Sequence, residues 1–166
     1  MFFVTPSAKF SPTLKVHKLS GHAEEKLWLT QAAAWAEEKW GYIRNYPGIT
    51  ERIKIITKLK ENFYIVTYDK QPVGMFALLD YKALESKQAI KELMYLYVDK
   101  SFRNMGIGSQ MIKIAKGIAK QQGCESIVFD TLTPSLNGFY KKQGAKVICE
   151  GQLLGHPTTV LRMKTS

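Results

Sequence analysis

Apolar and polar residues alternate from Leu14 to Leu19, the period of a half-buried strand. From His22 to Trp40 the pattern changes to a stretch rich in Ala, Glu, Lys and Leu with neither proline nor glycine, which predicts a helix. Trp28 and Trp35 fall on one face of it and read as core. Asn45-Tyr46-Pro47-Gly48 interrupts the helical pattern as a turn. Thr50-Glu51-Arg52 opens a second helix, with Ile49, Ile53, Ile56 and Leu59 predicted on its buried face. Phe63–Tyr68 and Val73–Tyr81 read as a hairpin around Asp69-Lys70-Gln71-Pro72. Glu92–Val98 is the most apolar strand and is expected at the centre of the sheet. An amphipathic helix follows, striped by Ile107, Met111, Ile114, Ala115 and Ile118, and ends at Gln121-Gln122-Gly123. Ser126–Thr131 is a further strand and Pro134–Gln143 a short helix stopped by Gly144. Lys146–Gly151 and Thr158–Met163 are the last two strands, joined near Gly155-His156-Pro157.

The predicted order is β-α-α-β-β-β-α-β-α-β-β. Helices between two of the strand pairs, beside hairpins, imply a mixed α/β (α+β) domain: one sheet of about seven strands with helices on both faces. At 166 residues the chain accommodates one such domain, residues 1–166, with residues 1–13 as a loose N-terminal arm. The apolar start at Met1–Val4 breaks at Pro6 and carries no basic leader, so a signal peptide is not expected. No apolar run approaches the ~20 residues of a membrane span. Cys124 and Cys149 form no metal-binding or CxxC pattern and read as reduced core thiols, consistent with a cytoplasmic setting. His17, His22 and His156 lack metal-ligand spacing.

Charge adds one demand. A net charge of +10 calls for an anionic partner, whether nucleic acid, a membrane or a phosphorylated small molecule. The lysines are scattered along the whole chain, which argues against nucleic acid.

A phosphate site is written at Val98–Ser109, between the most apolar strand and the amphipathic helix. Gly106 and Gly108 let ligand atoms approach the backbone, the first helical N–H groups lack internal partners, and Arg103 offers a forked donor. A tight turn that binds nothing is the structural alternative. Met111 stands where either a GxGxxG dinucleotide fingerprint or a P-loop would require glycine, so neither motif is present.

The run Arg103-Asn104-Met105-Gly106-Ile107-Gly108 resembles the Gln/Arg-x-x-Gly-x-Gly/Ala pyrophosphate motif of the GCN5-related N-acetyltransferase superfamily. Phe139-Tyr140-Lys141-Lys142-Gln143-Gly144 resembles that superfamily's aromatic-Tyr-x-Lys-x-Gly helix end, and the element order matches from about Leu14 to Met163. Thr133 and Ala145 stand where the family often has asparagine and an aromatic residue.

The resemblance implies acetyl-CoA as acyl donor and an amine acceptor that the sequence does not name, with pairing into a homodimer left open. It implies cofactor contacts from Leu96, Tyr97 and Val98 on a strand that parts from its neighbour, from Arg103–Ser109, and from Thr133. Tyr140 would act as general acid toward the leaving thiolate; an amphipathic core tyrosine is the alternative. Glu92 lies eleven residues before Arg103, the offset at which the resembling histone acetyltransferases keep a catalytic glutamate. Burial would improve it as a base; a strand-end glutamate paired with Lys91 is the alternative. Trp40, Tyr42 and Tyr46, beside the helix break, are candidates for one acceptor wall, and the Leu153–Pro157 turn for the other. An acyl-CoA sensor without activity, a longer acyl donor and a basic nucleic-acid-binding domain are the rival readings. The basic charge disfavours polyamine and aminoglycoside acceptors.

Overall fold

The computed structural model describes residues 13–81 and 89–166; the expected N-terminal arm lies almost wholly outside them. Its elements follow the predicted order: β1 (Leu14–Lys18), α1 (Glu25–Trp40), α2 (Ile49–Leu59), β2 (Phe63–Tyr68), β3 (Gln71–Tyr81), β4 (Ile90–Val98), α3 (Ile107–Gln121), β5 (Ser126–Thr131), α4 (Asn137–Lys142), β6 (Lys146–Leu153) and β7 (His156–Lys164). One seven-stranded sheet runs β1-β2-β3-β4-β5-β7-β6, with β4 at its centre. Neighbours are antiparallel except β4 and β5.

Period-two alternation builds a core on each face. Phe76 and Leu78 of β3 join Ile107, Met111 and Ala115 of α3, whereas Met75 and Ala77 join Trp28, Ala32, Trp35 and Ala36 of α1. Small residues at Ala32, Ala33 and Ala36 are fully covered and bring α1 close to the sheet.

Four local expectations change. The β2–β3 connection is two residues long, Asp69-Lys70, both with positive φ, the backbone that a two-residue hairpin turn requires. Pro72 therefore lies inside β3, tolerated because the register slips between Val66 and Thr67. On α2 the buried polar surprise is Arg52, 2% exposed, while Ile49 is 44% exposed. Arg52 Nε donates to Glu37 Oε2 at 3.2 Å and its Nη2 to the Trp40 carbonyl at 2.9 Å. Glu37 Oε2 also accepts from the Gly48 amide at 3.2 Å. One ion pair thus pins the end of α1, the helix break and the start of α2; removing one partner of such a pair typically costs ~3–5 kcal/mol. The β6–β7 turn tightens to Leu154-Gly155, so His156 and Pro157 belong to β7. Of the two cysteines, Cys124 is buried as expected, but Cys149 is exposed, because β6 is an edge strand with little packed over it.

Candidate active site

The site originates in an incomplete strand pair. β4 and β5 are in register only over Ile90–Glu92 and Ser126–Val128. Beyond Glu92, β4 stays paired with β3 but no longer with β5, and an extra residue enters it opposite Phe76: Met75 faces Tyr97, whereas Ala77 faces Met94. Tyr95 occupies this bulge with φ 56°, a left-handed backbone that is costly for a side chain of this size. The bulge re-aims the strand where β5 leaves it, and a cavity opens on either side.

The larger cavity, about 730 Å³, is a groove lined by Leu96, Tyr97, Val98, Arg103, Asn104, Gly106, Ile107, Gly108, Ser109, Thr133, Phe139 and Tyr140, among others. Its floor is the β4–α3 turn. Gly106 caps α3 with φ 77° and has open space where a Cβ would stand. The first helical hydrogen bond runs from the Gln110 amide to the Gly106 carbonyl, so the amides of Ile107, Gly108 and Ser109 precede it. A Cβ on Gly108 would meet Phe139 and Val98 only at ordinary contact distances, 3.5 and 3.8 Å. Packing of the protein itself therefore does not demand glycine there, whereas close approach of a ligand would. Arg103 Nε donates to the Val98 carbonyl at 3.1 Å and its guanidinium lies 5.4 Å from the Tyr97 ring centre. These amides and this cation fit a pyrophosphate. Met105 is not in the lining; it packs instead against the core beneath α3, because the turn directs it inward.

One long-range and one local bond, both to Asp99, hold the turn. Trp35 Nε1 donates to Asp99 Oδ2 at 3.0 Å, and Asp99 Oδ1 accepts from the Ser101 amide at 2.9 Å. Burial works to raise the Asp99 carboxyl, but the Ser101 and Trp35 donors outweigh it and hold it below the usual range. On the far side, Gln143 Nε2 donates to Ser109 Oγ at 3.0 Å, joining the end of α4 to the start of α3.

The second cavity, about 320 Å³, is lined by Trp40, Tyr42, Arg44, Glu92, Asp130, Leu153 and Leu154 among others. Trp40 stands edge-on to Tyr95, their ring centres 5.6 Å apart, and Tyr42 edge-on to His156 at 5.3 Å. The helix break and the β6–β7 turn thus both contribute to the lining of this cavity. Tyr46 does not join them: it is 67% exposed, outside the lining, and packs over Gly41, because the chain reverses at Asn45 and Tyr46 with positive φ at both.

Lys39, Leu96, Thr133, Leu136 and Tyr140 line both cavities and mark their junction. Tyr140 is buried against Phe129, ring centres 4.7 Å apart, and burial pushes its phenol up, so it keeps its proton at neutral pH. Glu92 lines the smaller cavity alone. Burial first, and the Asp130 carboxylate second, raise it above the usual carboxylate range. Lys91 does not neutralise it; that ammonium pairs with Asp80 at 2.7 Å. Lys39, Arg44 and Asp130 escaped the sequence reading, since scattered polar residues carry no periodic signal. Asp130 alone left a trace, as the one charge in the apolar strand Ser126–Thr131.

The chain is a mixed α/β domain in which two cavities meet at one junction. The acetyltransferase (GNAT) family profile matches residues 25–145, and the chain belongs to this family. It is 26% identical, over 120 residues covering 72% of each chain, to an uncharacterised N-acetyltransferase of Chlorobaculum tepidum. Among solved structures it is similar to Ard1 from Thermoplasma volcanium, with a TM-score of 0.68, 16% identity and coverage of 91% of this chain and 97% of that one. It is also similar to an aminoglycoside 6'-N-acetyltransferase complexed with coenzyme A, with a TM-score of 0.71, 13% identity and coverage of 92% and 97%. At these identities the structural likeness establishes the fold alone. Among the described residues no helix is long and apolar enough to cross a membrane, and no cluster of three His, Cys, Asp or Glu side chains could hold a metal.

The burial of Glu92 beside Asp130 has a thermodynamic consequence. Its carboxyl is raised in the fold, so below the ordinary carboxylate value both folded and unfolded states hold the proton and no penalty exists. As pH rises, the unfolded state releases its proton first, and stability falls until the folded pKa is passed. Glu92→Gln is therefore expected to raise the melting temperature at pH 7 and to leave it unchanged near pH 4. A lower melting temperature at pH 7 would contradict this account.

Proposed function

We propose that the protein is an N-acetyltransferase that transfers acetyl from acetyl-CoA to a primary amine of a small molecule or peptide, by direct attack in a ternary complex. The observation that carries this reading is the junction: a phosphate-fitting groove and a separate acid-lined cavity meet at Tyr140, Leu96 and Thr133 where β4 parts from β5. Separate cavities let donor and acceptor be held together. Neither Cys124 nor Cys149 lines either cavity, so no cysteine thiol is placed to carry the acyl group.

Acetyl-CoA would supply an activated thioester. The amides of Ile107, Gly108 and Ser109, with Arg103 and Asn104, hold the diphosphate, and Leu96, Tyr97, Val98 and Thr133 flank the arm that leads to the junction. Main-chain N–H groups of β4 beyond Glu92 face no strand on the β5 side, which leaves them for the acyl carbonyl. Glu92, raised above the usual carboxylate range by burial and Asp130, takes the proton from the incoming ammonium. Tyr140, protonated at neutral pH, holds its phenolic proton for the departing sulfur.

Three measurements test this. Acetyl-CoA at about a hundredfold excess over its dissociation constant should add ~2.7 kcal/mol by mass action, roughly 5–10 °C in melting temperature. Gly108→Val should abolish that shift while leaving the apo transition in place; a normal shift in the variant would move the site elsewhere. Tyr140→Phe should lower kcat for thiol release by about 10²-fold, the low end for general acids, with little change in KM for acetyl-CoA. Parent-like turnover would make Tyr140 a core aromatic, and tight acetyl-CoA binding without acylation of any amine would leave a sensor. Glu92→Gln should cut turnover at neutral pH by a factor that shrinks as pH rises and free amine accumulates. A pH-independent loss would assign Glu92 a structural role.

A further inference from the structure

The smaller cavity is electrically polarised. Glu92 and Asp130 stand on its strand side, from β4 and β5, and Lys39 and Arg44 on its helical side, from the last turn of α1 and the turn after it. The two acids have an evident use, since a cationic ammonium must be received and deprotonated. The two cations have no carboxylate partner among the described residues. Arg52, the third cation in the lining, is spent on Glu37 and the Trp40 carbonyl. Lys39 and Arg44 make no ion pair among the described residues, although Glu37 and Glu38 are close by in sequence. Glu38 is turned the other way, onto Lys100.

Lys39 is half-buried, its Nζ 5.0 Å from the centre of the Trp40 ring and 5.8 Å from that of Tyr97. Keeping an ammonium there is costly: burial first, and the neighbouring Arg103 second, lower its pKa. An aromatic corner that holds a cation without a counterion, in a cavity that the Arg44 side chain also lines, can receive an anionic group. Lys39 also lines the junction, so an anion that it binds lies close to the amine under attack. Apolar Ile43, Met94, Leu132, Leu153 and Leu154 make up much of the remaining wall. The volume, about 320 Å³, is at the small end of the roughly 300–1,000 Å³ range of small-molecule sites.

Resting on the acetyltransferase reading, we propose that the acceptor is a free α-amino acid with an apolar side chain. Its amine faces Glu92 and Asp130, its carboxylate faces Lys39 and Arg44, and its side chain lies against the β6–β7 turn. Glu92 takes one proton from the ammonium; the neutral amine then displaces the thiolate from the acyl carbon, the C–N bond forming and the C–S bond breaking, while Tyr140 protonates the departing sulfur and the second proton of the nitrogen restores the phenol. A diamine of similar length would instead bring its second ammonium against Lys39 and Arg44, and like charges in a half-closed cavity repel.

The test compares leucine, methionine and phenylalanine, each with its amide and its decarboxylated amine, in thiol release from acetyl-CoA. The amide comparison is biased against the proposal, because the less basic amide holds more neutral amine at pH 7. Even so, kcat/KM for the amino acid should exceed that for the amide and the amine by at least about tenfold, the worth of a charge-assisted hydrogen bond. Arg44→Gln should reduce that preference about tenfold, through KM, and Arg44→Lys should restore part of it. Arg44 is exposed, so the substitution does not open the core. Equal or better use of the amides or amines would overturn the proposal, as would an Arg44→Gln defect of the same size for all three classes. Turnover of diamines or peptide N-termini but of none of the amino acids overturns it while leaving acetyl transfer intact. If acetyl-CoA binds and no amine of any class is acetylated, both readings fall.

Discussion

Every feature of the site depends on how far β4 and β5 stay together. A parallel pair forms slanted, evenly spaced hydrogen bonds, and here it lasts only from Ile90 to Glu92. Further pairing would close the sheet and cover Leu96 and Tyr140. The chain prevents it from the β3 side: the extra residue at Tyr95 shifts the register with β3 and bends β4 where β5 leaves it. A left-handed tyrosine in mid-strand is unfavourable by itself and is sustained by its surroundings, with Trp40 edge-on and Phe63 5.6 Å away. Local strain is stored at the place where an opening is needed.

The opening would be of little use if its rim were loose. Asp99 collects the Trp35 indole from α1 and the Ser101 amide from the turn, so the phosphate-fitting loop is registered against a helix on the opposite face of the sheet. Thr131 Oγ1 donates to Asn137 Oδ1 at 2.6 Å, and Asn137 Nδ2 donates to Thr159 Oγ1 at 3.3 Å, which fixes the start of α4 and with it Tyr140. Two of these bonds, Trp35 to Asp99 and Asn137 to Thr159, cross long sequence separations and tie the rim to distant elements.

Electrostatics follows the same division. The groove carries Arg103 and unpaired helix amides, the smaller cavity sets carboxylates against cations, and Tyr140 at the junction remains neutral. Part of the net charge of +10 is therefore local rather than diffuse: Lys39, Arg44 and Arg103 surround the space into which anionic ligands would enter.

The sequence by itself determined the elements, their order and the glycine turn, because each is written in short-range terms. Period-two and period-3.6 patterns depend on which face is buried, and Arg103–Gly108 is a contiguous motif whose backbone demands are local. Glu92 and Tyr140 were also legible, as a lone charge heading an apolar strand and as part of a second motif. Tertiary structure alone decided the rest. It placed Arg52 rather than Ile49 under α2, since a buried guanidinium is stable only where Glu37 and the Trp40 carbonyl meet it. It turned Met105 into the core and Tyr46 away from the cavity. It also brought Lys39, Arg44, Glu92 and Asp130 from four separate segments around one space. Periodicity reports only which side of an element is covered; which charges face one another across a cavity is set by strand register and helix placement, and these depend on contacts between residues far apart in the chain.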